Sequence, residues 1–422
     1  MKSILKNLKG DKTIWTMVVL LGIVSFLPVY SASSNLAYGA YGTGNTLGFL
    51  IKHLAHIIVG FGIIYVVHKV KYTYFKAISM MAFPFIFILL LYTLLQGKTI
   101  GGANASRWIE IPLVGIGFQP STLAFVIMMI YVATYLAKIK DVKDLTFQSS
   151  FIRLWIPVLG VVALILPANF STAALMFLMV LMLVFVGMYP MKYLLRVFFM
   201  GLVFLVTFVA AAKAFPGAFP NRVDTWISRV ESFVSANPSD DNVYQIEKAK
   251  TAIATGGIGG LGPGKSVQKN FLPQSSSDFI YAIIVEEYGL IGGLVIISVY
   301  LILFFRFIRA AITAQSFFGS LLIIGLGVPI VFQAMVNMAV AVELFPTTGQ
   351  TLPLISSGGS SIWMTCFAIG IVLNVSKKEE EIKQEEIEKR ERERILQKLI
   401  EREQQQDEEE QQKLALETLK KI

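Results

Sequence analysis

The chain has 422 residues, of which 55% are hydrophobic and only 15% are charged. An ordinary soluble protein carries about 25% charged residues, so this composition excludes an ordinary soluble globular protein. Residues 377–422 hold 12 basic and 15 acidic side chains, which leaves the first 376 residues at net +12. Because those residues are mostly long apolar runs, no nucleic-acid partner is expected. The single cysteine, Cys366, excludes an intrachain disulfide and paired-cysteine metal or redox sites.

Ten apolar runs lie near the length of roughly 20 residues that crosses about 30 Å of hydrocarbon. Together they predict an all-α polytopic membrane protein with about ten transmembrane helices. The runs cover, to within a few residues, 14–33, 48–68, 75–96, 117–137, 151–167, 171–189, 192–214, 279–308, 316–343 and 353–375.

Basic residues in the short connections predict the orientation. With the N-terminus inside, the inner connections carry 15 Lys and Arg residues and the outer ones carry two, Lys98 and Arg107. Because positive charge is retained on the cytoplasmic side, both termini are predicted to be cytoplasmic. The protein is therefore expected to be a multi-pass membrane protein.

Three regions follow from this topology. Residues 1–376 form the ten-span domain, and one large extracytoplasmic loop, 215–278, separates spans seven and eight. Residues 377–422 form a charged cytoplasmic tail that alternates acid and base and is predicted to be helical. Within the loop, apolar residues recur at helical spacing over 223–234, which predicts an amphipathic helix in the membrane interface, and a second helix is predicted over 244–255.

A glycine-rich run follows that second helix, from Gly256 to Gly264. It must turn, and glycine lets the backbone approach another group closely. A phosphate cradled by this run, with Lys265 and Lys269 beside it, is one interpretation. A simple turn is the other.

Three carboxylates stand at the head of the eighth span, Asp278, Glu286 and Glu287. The run is longer than the hydrocarbon core, so its first turns are predicted to line an outward-facing cavity, with a kink at the glycines from Gly289 to Gly293. At 100° per residue, Glu286 lies about 80° from Asp278 and is the predicted partner in that cavity. The alternative is that Ser275 or Ser277 and Asp278 cap the helix.

Two cations and a broken segment lie on the same outer side. Lys52 either reaches the headgroups as a snorkelling lysine or neutralises an anionic lipid phosphate. Arg107, next to Trp108, is either an interface anchor or a ligand-binding cation. Residues 344–361 mix prolines, glycines and hydroxyls, and polar irregular backbone at that depth is tolerated when it is buried in protein or faces a wet cavity. A functional site is therefore expected on the outer side.

These stretches resemble one family. The chain is similar to the SEDS proteins, ten-span polymerases of bacterial shape, elongation, division and sporulation. The resemblance rests on GGANASRWIEI followed by QPSTLAF, PANFSTA, YQIEKAKTAIATGGIGGLGPGKSVQK, FLPQSSSDFIYAIIVEEYGLIGG and PTTGQTLPLISSGGSS, in the family's order and spacing. The sequence departs from the family at Asn169, where many members have aspartate.

The resemblance implies peptidoglycan glycosyltransfer, the joining of lipid II units into glycan strands. It also implies a location in the bacterial plasma (inner) membrane, with the active site on its outer, extracytoplasmic face. Asp278 matches the family's essential aspartate and is the implied catalytic residue. A carboxylate there can take the proton of the acceptor hydroxyl, and nearby cations can stabilise the undecaprenyl pyrophosphate leaving group. The implied substrate-binding residues are Lys52, Arg107, Lys265, Gln268, Glu286, Glu287, Gln119 and Ser121.

No cofactor is certain from the sequence. A divalent cation, Mg²⁺ or Mn²⁺, would be able to share the charge of the leaving group, and its ligands are unknown.

The resemblance also implies partners. Lipid II and the growing glycan strand are the expected ligands, and a class B penicillin-binding protein and other division-complex membrane proteins are the expected protein partners. The division role is favoured over a rod-shape elongation role. A lipid II flippase and a pure scaffold are the alternatives from other functional classes.

Overall fold

The computed structural model describes residues 8–38, 45–96, 107–111, 116–142, 144–215, 222–234 and 241–377, together with residues 387, 390–391, 393–400, 402 and 404 of the tail. Lys98 and the stretch just before Arg107 lie outside these residues, as do 216–221 and 235–240 of the predicted loop. Residues Asp11–Ser376 form one compact unit. The described residues of the tail are helical.

Thirteen helices build the described part of the compact unit, and each predicted apolar run coincides with at least one of them. They are α1 Lys12–Val24, α2 Phe26–Tyr38, α3 Thr46–Val67, α4 Phe75–Gln96, α5 Pro120–Ile139, α6 Phe147–Ile165, α7 Phe170–Val186, α8 Met191–Ala214, α9 Val223–Val234, α10 Asp241–Gly256, α11 Ile280–Ile312, α12 Phe317–Ala341 and α13 Gly359–Val375. Helix α6 contains a π-helical turn at Phe151–Trp155.

Within the described ranges, eight helical segments are long and apolar enough to cross a membrane. Helices α7 and α13 are apolar but have 17 residues each, about 26 Å of helix at 1.5 Å per residue. The prediction of an all-α polytopic membrane protein is confirmed, whereas the count of ten spans stays a prediction.

Two features depart from the sequence-based expectation. A short antiparallel hairpin, β1 Ile109–Ile111 and β2 Ile116–Phe118, pairs Ile109 with Phe118 and follows Arg107 directly. The last span begins at Gly359 rather than at residue 353, because residues 344–358 leave the helical path and attach to neighbouring elements. Among these attachments, the Tyr300 hydroxyl donates to the Pro353 carbonyl.

Both helices predicted in the large loop are present, as α9 and α10. Helix α9 packs on the bundle through Trp226, whose ring lies 5.0 Å from that of Phe170 and 6.0 Å from that of Phe208, centroid to centroid. Helix α9 is therefore held by aromatic contacts to α7 and α8, and its polar side is available to the space beside them.

The predicted kink lies at Gly289, which has φ +69° and ψ −173° within α11. The break exposes backbone groups, and the glycine run after α10 satisfies them. Leu290 and Ile291 donate their N–H groups to the carbonyls of Gly257 and Ile258 at 2.9 and 3.3 Å. In return, the N–H groups of residues 261 and 262 donate to the carbonyls of residues 286 and 287 at 3.0 and 2.9 Å. We call this four-bond junction the glycine clip.

The glycine clip explains why the run is rich in glycine. A Cβ atom on Gly260 would lie 2.2 Å from the Glu287 carbonyl oxygen, and one on Gly256 would lie 2.1 Å from the Val285 carbonyl oxygen. Gly260 also has φ +77°, a backbone conformation that favours glycine. These glycines serve backbone-to-backbone contact with the broken helix rather than a cradle for phosphate.

Candidate active site

A cavity of about 590 Å³ opens between the loop helices and the membrane helices α5, α7, α12 and α13. Among the described residues, the charged side chains in its lining are Arg107, Arg222, Arg229 and Asp278. The rest of the wall combines amides and hydroxyls with an apolar floor. The neutral polar groups are Gln119, Ser121, Thr122, Asn169, Thr172, Gln245, Gln274, Ser277, Gln333, Gln350, Thr351, Ser357, Ser360 and Ser361.

Asp278 lies on the wall of this cavity, two residues before α11 begins. The helix has Phe279 at its N-cap position and no side-chain capping hydrogen bond, so the predicted capping role of Asp278 is wrong. Burial raises the pKa of Asp278, and hydrogen bonding with Ser277 and the charges of Arg229 and Arg107 only partly oppose that effect. A half-buried carboxylate with a raised pKa is a suitable proton acceptor.

The backbone around Asp278 is attached to the irregular segment 344–358. The side-chain amide of Asn337 donates to the carbonyl oxygens of both Asp278 and Gln350, each at 2.7 Å. The Ser356 hydroxyl donates to the Ser277 carbonyl at 2.6 Å. These hydrogen bonds join the backbone around Asp278 to the Pro- and Gly-rich segment, so that both belong to one wall of the cavity. The irregular polar backbone predicted on the outer side therefore serves to build this wall.

Three arginines face the acid across the cavity. The Arg107 side chain donates from Nε to the Ala168 carbonyl at 2.7 Å, which anchors it beside the start of α7. Burial, together with the positive charges of Arg222 and Arg229, lowers the pKa of Arg107 to about 9, and Asp278 partly opposes the shift. Burial also lowers the pKa of Arg229, with a further contribution from Arg222. The three guanidinium groups thus repel one another in a poorly solvated space.

Arg222 and Arg229 were missed as site residues by the sequence analysis. Arg229 lies within the predicted amphipathic helix and Arg222 just before it, and the polar side of such a helix is normally a solvated surface. The signal that would have found them is their spacing of seven residues, which places both on one side of α9 and its approach.

Two of the predicted binding residues also line the cavity, Gln119 and Ser121. The Gln119 amide donates to the Ser121 hydroxyl at 2.9 Å. Farther along the wall, the Gln350 amide donates to the Thr172 hydroxyl at 3.1 Å. Asn169 caps α7 by accepting the Thr172 N–H at 3.2 Å. Such neutral amides and hydroxyls suit a ligand with many hydroxyl and amide groups.

The structure places the other predicted binding residues elsewhere. Lys52 is exposed on α3 and does not line the cavity. Lys265 and Gln268 belong to the segment after the glycine clip, also outside the cavity wall. The cation expected beside the acid is therefore supplied by arginines and not by these two lysines.

The predicted position of Glu286 in the same cavity as Asp278 is wrong. Glu286 is fully buried and accepts hydrogen bonds from the N–H groups of Val267 and Gln268 at 3.0 and 3.2 Å and from the Ser266 hydroxyl. The 100° rule does not apply between Asp278 and Glu286, because α11 begins only at Ile280. Glu286 holds the segment after the glycine clip instead.

Glu287 is also buried and likewise does not line the cavity. It accepts hydrogen bonds from the Ser31 hydroxyl and, at 3.4 Å, from the Ser266 N–H. The residue therefore ties α2 to the same segment.

The donor set of the cavity does not fit a divalent cation. Within the described part of the chain, no three His, Cys, Asp or Glu side chains come together to hold a metal ion. Mg²⁺ and Mn²⁺ prefer several oxygen ligands, whereas here one carboxylate lies among three arginines. The positive charge in the described part of this cavity therefore comes from the arginines.

Sequence comparisons identify the family. The model described as "Cell cycle protein", which covers FtsW, RodA and SpoVE, matches residues 11–381. A probable peptidoglycan glycosyltransferase FtsW from Geobacter sp. (strain M18) is 36% identical over 375 residues, which cover 87% of this chain and 96% of that protein. The stage V sporulation protein E of Bacillus subtilis (strain 168) is 30% identical over 381 residues, covering 88% of this chain and 98% of that protein.

Solved structures agree on the fold. A chain from a peptidoglycan synthase complex that coordinates polymerization and crosslinking superposes with a TM-score of 0.66 at 23% identity, covering 87% of this chain and 97% of that one. The rod shape determining protein RodA of Thermus thermophilus gives a TM-score of 0.59 at 22% identity, covering 87% of this chain and 96% of that one. With a family match over nearly all of its compact unit, the chain belongs to the FtsW/RodA/SpoVE family.

Proposed function

We propose that this chain is a peptidoglycan glycosyltransferase that polymerises lipid II into glycan strands. The observation that carries the proposal is the cavity in which one carboxylate, Asp278, lies among three arginines and a wall of amides and hydroxyls. The acid suits proton abstraction, the arginines suit a diphosphate, and the neutral wall suits sugar and amide groups. The names of the Geobacter relatives support the same activity.

The reaction requires one bond to form and one to break. The 4-hydroxyl oxygen of the acceptor sugar attacks the anomeric carbon of the lipid-linked donor while the bond from that carbon to the diphosphate oxygen breaks. Asp278, as the carboxylate, takes the hydroxyl proton. The electron pair of the broken bond stays on undecaprenyl diphosphate, whose growing negative charge Arg107, Arg222 and Arg229 offset. Attack opposite to the leaving group inverts the anomeric centre.

The reaction is assigned to the extracytoplasmic side of the plasma membrane. The loop that carries Arg222, Arg229 and Asp278 follows a span whose inner end bears Lys192 and Arg196. Cytoplasmic retention of such positive charges supports an extracytoplasmic position for the loop and for the cavity. The division role is favoured because relatives at 34–36% identity carry the FtsW name. Depletion that produced rounded cells rather than filaments would assign the chain to elongation instead.

A class B penicillin-binding protein is the proposed partner, with other division-complex membrane proteins around it. One structural relative comes from a complex that coordinates polymerization with crosslinking. Crosslinking is assigned to this partner, since that complex combines the two activities.

The proposal is tested with lipid II and the purified full-length chain in complex with its class B partner. Asp278→Asn removes the proton acceptor with little change of shape, and polymer formation is expected to fall by about 10²- to 10⁴-fold. Asp224→Asn is the matched control, because Asp224 is exposed on α9 and lies outside the cavity wall. Wild-type polymerisation by Asp278→Asn would refute the assigned role of this residue.

A further inference from the structure

We infer that the charged tail joins two copies of this chain through an antiparallel pair of tail helices centred on Leu399 and Ile400. The contact, which we call the tail seam, covers residues 389–410 of both copies. The inference goes beyond the proposed function, because the tail belongs neither to the compact unit Asp11–Ser376 nor to the cavity wall.

An exposed apolar cluster is the first argument. Residues 393–400 are helical, and four of their large apolar side chains are between 51% and 59% exposed: Ile395, Leu396, Leu399 and Ile400. At 100° per residue, these four side chains occupy an arc of about 140° on one side of the helix. An apolar stripe of this width is typical of a helix side that packs on another surface. In the described part of the chain the cluster is uncovered, so it is available to a partner.

The charge pattern around the cluster indicates which partner fits. Residues 389–398, before the centre, carry five basic and two acidic side chains, which is net +3. Residues 401–410, after the centre, carry six acidic and one basic side chain, which is net −5. These two blocks are equally long, and only Leu399 and Ile400 separate them. An antiparallel second copy centred there places a basic block opposite an acidic block on both sides of the centre.

Competing arrangements of the tail lack this charge match. A parallel pair in register would place the two basic blocks opposite each other and the two acidic blocks opposite each other, which is repulsive. The antiparallel alignment also sets residues 379–388, net −5, opposite residues 411–420, net +1. An anionic membrane surface is a poorer partner, because residues 377–422 are net −3.

The tail seam is long enough to combine apolar and ionic contacts. Its 22 residues correspond to about 33 Å of helix, or six turns. The alignment sets Lys389 opposite Glu410 and Arg392 opposite Asp407. Continued along the sequence at 100° per residue, the arc of the apolar cluster includes all four of these positions. Because an antiparallel pair of identical helices is two-fold symmetric, each ion pair occurs twice.

Sedimentation equilibrium of the full-length chain in density-matched detergent tests the self-association. The wild type should show a monomer–dimer equilibrium, and Leu396→Glu combined with Leu399→Glu should raise the dissociation constant at least tenfold. Ile387→Glu is the matched control, because Ile387 is 58% exposed in the same tail and lies about 150° from the centre of the arc. A wild type that stays monomeric overturns the inference, and so does a dimer that the double variant leaves intact.

Charge exchange tests the antiparallel direction. Lys389→Glu with Arg392→Glu should raise the dissociation constant at least tenfold, since attractive pairs become repulsive. Adding Asp407→Lys and Glu410→Lys to the same chain exchanges both signs and should restore the wild-type dissociation constant. In a parallel pair, like charges face one another in every one of these variants, so failure of this rescue overturns the antiparallel seam.

Distances between spin labels give an independent measure in a Cys366→Ser background. Labels at Gln404→Cys should lie about 14 Å apart along the helix axis and labels at Ile387→Cys about 38 Å apart, because each residue from the centre adds 1.5 Å in each copy. A parallel pair would give about 10 Å for both positions. Labels that show no coupling but lose mobility on vesicles of anionic lipid would assign the cluster to the membrane surface and overturn the inference.

Discussion

Replacing Gly260 with alanine should open the glycine clip that holds the broken helix α11. The new Cβ atom would lie 2.2 Å from the Glu287 carbonyl oxygen and 2.5 Å from the Gly289 nitrogen, both of which are backbone atoms that cannot rotate away. The residue would also keep φ +77°, which costs an alanine roughly 1–2 kcal/mol. The loop must therefore move off the helix.

The expected decrease in the free energy of local opening follows from the hydrogen bonds that break. The clip contains four backbone hydrogen bonds of 2.9–3.3 Å. At about 1 kcal/mol net each, their loss lowers the free energy of local opening by about 4 kcal/mol. Since 1.4 kcal/mol is a factor of ten, amide exchange at Leu261, Gly262, Leu290 and Ile291 should accelerate by about a thousandfold.

Hydrogen exchange measured by mass spectrometry in detergent micelles is the direct assay. Gly259→Ala is the matched control, because a Cβ atom there has no neighbour within 4 Å. It should leave exchange and thermal stability nearly unchanged. Lipid II polymerisation should fall with Gly260→Ala, because the clip holds helix α11, which begins two residues after Asp278. If the two variants showed the same rates of amide hydrogen exchange, the clip would not be a stabilising junction. The interpretation of the glycine run as a phosphate-binding segment would then be favoured again.

Two further outcomes are expected. Glu286→Gln should lower the thermal midpoint clearly, because three charge-assisted hydrogen bonds become weaker neutral ones at about 1 kcal/mol each. Glu287→Gln should lower the thermal midpoint less, since Oε2 of Glu287 has no partner and an amide nitrogen at that position breaks no hydrogen bond. Equal decreases of the thermal midpoint in the two variants would contradict this difference. Polymerisation should also have an acid limb above the ordinary range of aspartate, because burial raises the pKa of Asp278 and the reaction needs the deprotonated form. Arg229 opposes that rise, so Arg229→Gln should move the limb to higher pH, and a limb that stayed in place would separate Arg229 from the acid.

Sequence reasoning located much of the site because several signals are local. Asp278 stands out as a carboxylate at the head of an apolar run, and Gln119 and Ser121 lie beside the start of another. The polar segment 344–361 was also recognised, because such backbone needs a protein or water environment at membrane depth. All of these groups line the same cavity.

Two errors concern side-chain direction, which depends on where a helix begins and on how it packs. Glu286 was placed beside Asp278 by helical angle, although Asp278 precedes the helix. Arg222 and Arg229 were not predicted as site residues, because the polar side of an amphipathic helix is normally solvated. Here Trp226 packs α9 onto the bundle and turns that side toward the cavity.

The amino-acid sequence by itself determined the class of the protein, the positions of its apolar helices and the kink at Gly289, because hydrophobic length, periodicity and glycine content act within one segment. Only the tertiary structure decided which polar groups face one another. Asn337 joins Asp278 to Gln350, and Arg107 reaches Ala168, across separations of 59, 13 and 61 residues. Such contacts depend on how helices far apart in the chain pack, and no local pattern records that arrangement.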